Sequence, residues 1–98
     1  MSGNETFETI GQWCDETFGP VEAYRLVERS DEEFQELWEE VTSSNEWSEE
    51  AVKEAADVVI TLARVPGLQE MINKKMAINR ARKWKRMGDG TGYHIKEA

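Results

Sequence analysis

Apolar residues recur at helical spacing in four segments of the chain, and no long alternation of apolar and polar residues indicates a strand. The predicted helices cover residues of about 5–18, 20–41, 48–64 and 68–85. Gly19-Pro20 and Pro66-Gly67 are helix-breaking pairs between them. The Gly-rich segment 86–98 is predicted to be an irregular tail. The sequence therefore predicts an all-α fold, with one domain over residues 1–98 that forms a bundle of about four helices.

The third predicted helix has the clearest pattern of the four. Its apolar side chains form an almost continuous surface, made of Val52, Ala55, Ala56, Val59, Ile60 and Ala63. Ser48 is suited to cap its N terminus. Glu54 and Asp57 interrupt this apolar sequence, and their spacing of three puts both carboxylates on one helix face.

The second predicted helix carries a matching acidic motif, Glu32-Glu33-x-x-Glu36, and 17 residues separate it from Glu54. If the two helices pack antiparallel, four carboxylates converge on one small volume. Like charges crowd together in a stable fold when a cation neutralises them, and a hard divalent ion with oxygen ligands is the natural candidate. The pattern therefore predicts a Mg²⁺ site.

Two alternatives to this assignment remain open on the second helix. Its run of acids is also typical of a solvated helix face, and Glu36, Glu39 and Glu40 imitate the motif one turn later. The polar residues 28–31 also permit a kink or a break near Ser30.

The distribution of charge sharpens the picture. The chain of 98 residues has a net charge of −8, which argues against a nucleic acid polymer as its partner. Residues 28–57 hold 12 acids and two bases, whereas residues 73–98 hold eight bases and two acids. The acidic centre is suited to a metal ion and the basic C-terminal arm to phosphates.

The basic arm offers candidate phosphate ligands. Lys75, Asn79, Arg82 and Arg86 follow one face of the fourth predicted helix, with Lys83 and Trp84 beside it. Such a face binds phosphate oxygens, and a solvated face that pairs with the acidic excess is an equally good interpretation.

The Gly-rich tail has two interpretations. Either it is a flexible C terminus, or it folds over a bound nucleotide with Tyr93 and His94 as contact residues.

Several features bear on the cellular location. The single Cys14 cannot form an intrachain disulfide and is expected to be a buried core thiol. The sequence has no apolar run of 18 residues and no signal-peptide pattern at its N terminus. We therefore expect a cytoplasmic protein that does not associate with membranes.

The two acidic motifs together resemble those of the MazG-like all-α nucleotide pyrophosphohydrolases. The stretches 16–20, 74–84 and 90–95 sharpen the resemblance to small phage- and prophage-type members of that family. The resemblance spans about Trp13 to Lys96. The acidic motif alone is loosely specific, and its combination with Asn79-Arg-x-Arg-x-Trp84 is more so.

The resemblance implies hydrolysis of a nucleoside triphosphate to a monophosphate and pyrophosphate, with Mg²⁺ as cofactor and Mn²⁺ as a substitute. Purine deoxynucleotides such as dATP and dGTP are the implied substrates. By motif position, the implied metal ligands are Glu33, Glu36, Glu54 and Asp57. Glu32 is implied as an outer-shell ligand or general base. The positions near the phosphates correspond to Asn79, Arg82 and Lys83.

The chain has one copy of the motif pair, so the resemblance implies a site completed by a second subunit, in a homodimer or tetramer. Four Trp and apolar stripes on every predicted helix also favour an oligomer. Two rival functions remain: an acidic helical module that docks a basic protein partner, and a structural helical oligomer.

Overall fold

A computed structural model describes residues 3–96, so residues 1, 2, 97 and 98 of the predicted domain and tail lie outside the described part. The elements in chain order are α1 (Phe7–Phe18), α2 (Ala23–Ser44), α3 (Glu49–Leu62), α4 (Leu68–Ala81), β1 (Trp84–Arg86) and β2 (Gly92–His94). The prediction of four helices is confirmed, and the prediction that the chain has no strand is wrong. One compact unit, containing α1–α3, ends at Pro66, and a second, containing α4 and the strands, begins at Gly67.

Local hydrogen bonds cap the start of the first helix, and a glycine ends it. The Thr9 backbone N–H donates to the Thr6 hydroxyl over 3.1 Å, and the Thr9 hydroxyl accepts from the Thr6 backbone N–H over 2.8 Å. Gly19 ends α1 with a positive φ of 83°, a conformation that favours glycine. Pro20 precedes α2 instead of lying in its first turn, because that helix begins at Ala23.

The second helix continues without a break through its polar middle. Arg29 pairs with Glu33 at one turn's distance, and Nη2 of Arg29 lies 2.7 Å from Oε1 of Glu33. The Ser30 hydroxyl donates to the Leu26 carbonyl over 2.9 Å. These local bonds stabilise the polar segment as helix. The break that the sequence permits near Ser30 is absent from α2. The helix ends at Ser44, and Asn45 after it has a left-handed backbone conformation.

The third helix packs along α2 and also contacts α1. Ser48 caps it as predicted, and its hydroxyl accepts from the Ala51 N–H over 3.1 Å. Cys14 is buried as predicted, and within residues 3–96 the other buried apolar side chains are Leu26, Ala51 and Ala63. This is a small core, with Cys14 on α1, Leu26 on α2, Ala51 near the start of α3 and Ala63 directly after its end.

Many large apolar side chains of this unit are exposed. Each of the following residues exposes at least 47% of its surface: Trp13, Phe18, Tyr24, Val27, Phe34, Trp38, Trp47, Val52 and Val59. The apolar surface of α3 is therefore only partly buried, since Val52, Val59 and Ile60 are exposed.

The fourth helix is shorter than the sequence predicts. The helix ends at Ala81 rather than near residue 85, and β1 pairs antiparallel with β2. The connection bends at Gly88 and Gly90, whose φ values are 88° and 92°. The Asp89 carboxylate accepts from the Thr91 backbone N–H over 2.9 Å, which fixes the turn. The predicted irregular tail is thus largely a short hairpin.

Among the residues that the structure describes, no helix combines the length and the apolar character needed to cross a membrane.

Gly11 allows α1 to approach the end of α3 closely, and we predict that Gly11→Ala destabilises the fold. A Cβ at this position would lie 2.9 Å from the Ala63 carbonyl oxygen, which is closer than packing tolerates. We expect the free energy of unfolding to fall by about 1–3 kcal/mol in urea denaturation. Gly3→Ala is the control, since nothing lies within 4 Å of its added Cβ. An unchanged or higher stability of Gly11→Ala would contradict this packing.

Candidate metal centre

Three carboxylates from two helices converge at the contact between α2 and α3. Glu33 and Glu36 lie one turn apart on α2, and Glu54 lies on α3. One oxygen from each carboxylate lies within 4.8 Å of the others. The helical spacing of the first pair and the packing of α2 along α3 together create this cluster.

The cluster is partly withdrawn from water. The Glu33 side chain is 15% exposed. Oε2 of Glu54 is buried and has no hydrogen-bond partner among residues 3–96. A buried acceptor without a partner is costly, so this oxygen is suited to a ligand. Glu36 is exposed and leaves the cluster accessible from solvent.

Burial and mutual repulsion perturb the acids. Burial raises the pKa of the Glu33 carboxyl above its ordinary value, and the charge of Glu36 raises it further, while Arg29 opposes the rise. Burial likewise raises the pKa of the Glu54 carboxyl, again with a contribution from Glu36. Without a cation, full ionisation of the cluster is therefore unfavourable.

Asp57 lies beside this cluster and is exposed. It lies one turn after Glu54 on α3, and it is not one of the three mutually close carboxylates. Its charge nevertheless contributes to the raised pKa values of the Glu33 and Glu54 carboxyls. Asp57 therefore adds negative charge near the cluster without belonging to the close group.

Glu32, the first residue of the motif, contacts arginines instead of the cluster. It accepts hydrogen bonds from Arg29 and, over 3.4 Å, from Arg25. The bond from Arg29 holds the pKa of the Glu32 carboxyl below its ordinary value, with a further contribution from Arg25. Its surroundings differ from those of the three clustered acids. The cluster also favours the earlier of the two motif registers, because it contains Glu33 and neither Glu39 nor Glu40.

A cleft of about 520 Å³ opens beside the cluster in the first unit. Glu33 and Asp57 line it together with Arg25 and Arg29. Its wall also contains Trp13 and Phe18, whose rings meet edge to face with centroids 5.6 Å apart. A cleft with carboxylates, guanidinium groups and aromatic surface has the chemistry to accept a phosphorylated ring compound.

The arginines and the aromatic pair of the cleft are not among the residues that the sequence motifs predict. A usable signal was present for the arginines, since Arg25 and Arg29 lie seven and three residues before Glu32 on one helix face. No comparable signal pointed to Trp13 and Phe18, which have the spacing of ordinary core residues.

The predicted phosphate face of α4 is shorter than expected. Lys75 and Asn79 lie on the helix, whereas Arg82 follows its last residue with an extended backbone. Lys83 lies between α4 and β1, and Arg86 lies on β1. The continuous helical face from Lys75 to Arg86 is therefore wrong, because the chain leaves the helix after Ala81.

The hairpin separates the other predicted contact residues. Trp84 lies opposite His94 in the strand register, with ring centroids 6.2 Å apart, and Tyr93 lies opposite Lys85. Successive strand residues point to opposite faces, so Tyr93 and His94 do not share one. The Trp84 indole N–H donates to the Asn79 carbonyl over 2.7 Å, which attaches the hairpin to α4.

A scan against protein-family models and searches of curated proteins and of solved structures find no match to this chain. The clustered acids, the cleft and the sequence motifs are therefore the features that bear on function.

We predict that Glu54→Gln stabilises the metal-free protein at neutral pH and removes its stabilisation by Mg²⁺. The folded protein raises the pKa values of the Glu33 and Glu54 carboxyls. The two carboxyls therefore contribute fully to the free energy of unfolding when the pH is below the ordinary carboxyl pKa. This contribution is lost as pH rises through the raised values. An amide at position 54 removes one charge and can donate to a neighbouring carboxylate.

Melting curves at pH 5 and pH 7.5, with and without Mg²⁺, measure this effect. In the wild type, Mg²⁺ should raise the midpoint at pH 7.5, because an ion that binds only the folded state stabilises it. The variant should melt higher than the wild type without Mg²⁺ and respond little to it. Glu39→Gln, on the exposed surface of α2, is the control and should behave as the wild type does. Equal Mg²⁺ responses in wild type and Glu54→Gln would exclude Glu54 as a ligand.

Proposed function

We propose that the chain is a divalent-metal-dependent nucleoside triphosphate pyrophosphohydrolase of the MazG-like all-α type. It cleaves a nucleoside or deoxynucleoside triphosphate to the monophosphate and pyrophosphate. The observation that carries this proposal is the convergence of Glu33, Glu36 and Glu54 beside a cleft that Asp57 also lines. Two motifs that are separate in the sequence thus supply the acids of one three-dimensional cluster.

The donor set fits the proposed ion. Carboxylate oxygens are the ligands that Mg²⁺ and Mn²⁺ prefer, and Oε2 of Glu54 has no competing hydrogen bond from residues 3–96. Glu33, Glu36 and Glu54 would hold the ion, and Asp57 is the proposed fourth ligand. When bound, Mg²⁺ supplies positive charge and a Lewis acid beside the phosphates.

The remaining groups have roles in binding and orientation. The cleft beside the acids receives the triphosphate, and the aromatic edges of Trp13 and Phe18 offer an apolar surface to the base. The basic residues of the second unit remain candidate phosphate ligands by the sequence pattern alone. They are Lys75, Asn79, Arg82 and Lys83.

We predict pyrophosphate release from a panel of nucleoside and deoxynucleoside triphosphates with Mg²⁺, including dATP and dGTP. Glu36→Gln should lower kcat/KM at least about 100-fold, since even residues that only support a metal ligand cost 10–100-fold. Glu39→Gln, with the same change of charge on the same helix, should retain activity. Absence of turnover on every nucleotide, together with salt-sensitive binding to basic proteins without metal, would instead favour the acidic docking module.

We also propose that the protein is a homodimer, or a tetramer made of two dimers, through the apolar edge of α2 and α3. Val27, Phe34 and Trp38 are spaced by seven and four residues, so they form one exposed stripe on α2. Val52 and Val59 extend exposed apolar surface onto α3. A second copy of this stripe is the proposed occupant, because a two-fold interface is self-complementary and this stripe matches itself chemically.

We predict that light scattering gives about two or four times the chain mass of 11.3 kDa, and that Trp38→Glu lowers it toward the monomer. A charge in a buried apolar interface is costly when it has no partner. Trp47→Glu is the control: this Trp is 71% exposed and lies between α2 and α3, outside the stripe. A wild-type protein that is monomeric at micromolar concentration would contradict the dimer.

A further inference from the structure

Arg29 contacts the candidate metal centre directly. Its Nη2 donates to Oε1 of Glu33 over 2.7 Å, and its Nη1 donates to Glu32. The Arg29 side chain is 45% exposed, whereas that of Glu33 is 15% exposed. The guanidinium group therefore lies against a carboxylate of the cluster and supplies positive charge to the crowded acids.

We propose that Arg29 exchanges partners during the catalytic cycle, an inference that rests on the proposed function. In the metal-free protein its guanidinium group neutralises Glu33. When a divalent ion takes the Glu33 carboxylate, Arg29 turns to the phosphate oxygens of the nucleotide in the cleft. Glu32 stays bound to the guanidinium group in both states.

Competition between Arg29 and the metal follows from charge and geometry. A guanidinium group and a divalent ion on the same carboxylate repel each other. The bond from Arg29 also takes a lone pair of Glu33 that an ion would use. Arg29 therefore weakens the binding of metal alone, and it is displaced when the ion enters.

The cleft provides the second partner of Arg29. Arg25 and Arg29 lie one helical turn apart and both line the cleft, so their guanidinium groups can engage neighbouring phosphates. Guanidinium groups bind phosphate oxygens in a bidentate manner. The third arginine of the cleft, Arg64, is already committed, because it donates to Asp15 and to the Gly19 carbonyl.

Glu32 is a positioning residue in this scheme. It accepts hydrogen bonds from both Arg25 and Arg29, so it holds the two guanidinium groups together at the cleft wall. This assignment differs from the outer-shell ligand or general base that the sequence motif suggests for Glu32. Its removal should affect nucleotide binding and leave the binding of metal alone intact.

The test measures the affinity for Mn²⁺ and the KM for the nucleotide. Arg29→Gln should strengthen Mn²⁺ binding and raise KM. Calorimetric titration of Mn²⁺ without nucleotide should give about fivefold or tighter binding for Arg29→Gln, the factor expected for removing one nearby unit charge. KM for the nucleoside triphosphate at saturating Mn²⁺ should rise about tenfold or more in the same variant. Arg29→Lys, which keeps the charge, should bind Mn²⁺ as the wild type does and recover part of the lost nucleotide affinity.

The controls separate this inference from the proposed function. Lys85→Gln removes one positive charge from an exposed position on β1 and should change neither the affinity for Mn²⁺ nor KM. Glu32→Gln should raise KM without weakening Mn²⁺ binding. Unchanged or weaker Mn²⁺ binding by Arg29→Gln, in an otherwise active wild type, would overturn the partner exchange alone. A wild type that neither binds Mn²⁺ nor hydrolyses any nucleotide would overturn both proposals.

Discussion

The packing of α2 along α3 forces acidic side chains from two helices into one partly buried volume. Burial and the charges of neighbouring acids raise the pKa values of the Glu33 and Glu54 carboxyls. Arg29 relieves part of the repulsion at Glu33, but Oε2 of Glu54 has no hydrogen-bond partner within residues 3–96. Such an arrangement is unfavourable as a structural feature alone, and a divalent ion would remove both the repulsion and the unsatisfied oxygen.

On α2, the clustered acidic side chains and the exposed apolar side chains lie on different sides of the helix. On α2 the apolar stripe of Val27, Phe34 and Trp38 lies on a different side from Glu33 and Glu36, because the two sets are out of phase in the helical repeat. A small core leaves this stripe in solvent. In the proposed dimer, apolar association would therefore stabilise the α2–α3 pair without covering the acids, and a rigid pair of helices would hold the ligand oxygens in place.

Local sequence rules predict those parts of the fold that depend on one helix at a time. The capping role of Ser48 and the acidic pairs one turn apart both follow from spacing alone. The end of α4 was missed because it depends on contacts distant in sequence. Trp84 pairs with His94 across a turn that Asp89 stabilises, and strands of three residues are too short to show an alternation.

The sequence motif likewise does not predict which groups an individual side chain contacts. Glu32 and Glu33 are adjacent acids in one motif, yet the helix turns them by about 100°, so one reaches two arginines and the other reaches the acidic cluster. The convergence of Glu33 with Glu54 required only that α2 and α3 pack together, which was the condition attached to the sequence prediction. The commitment of Arg29 to both Glu32 and Glu33 required side-chain geometry.

The most direct measurement of the central claim is an anomalous difference map from crystals of the protein soaked in Mn²⁺. The clustered acids predict a peak in contact with carboxylate oxygens of Glu33, Glu36 and Glu54. Arg29 should be turned away from Glu33 in the same crystals. A map with no peak at these carboxylates, from crystals in which the cluster is open to solvent, would contradict the assignment of a metal centre.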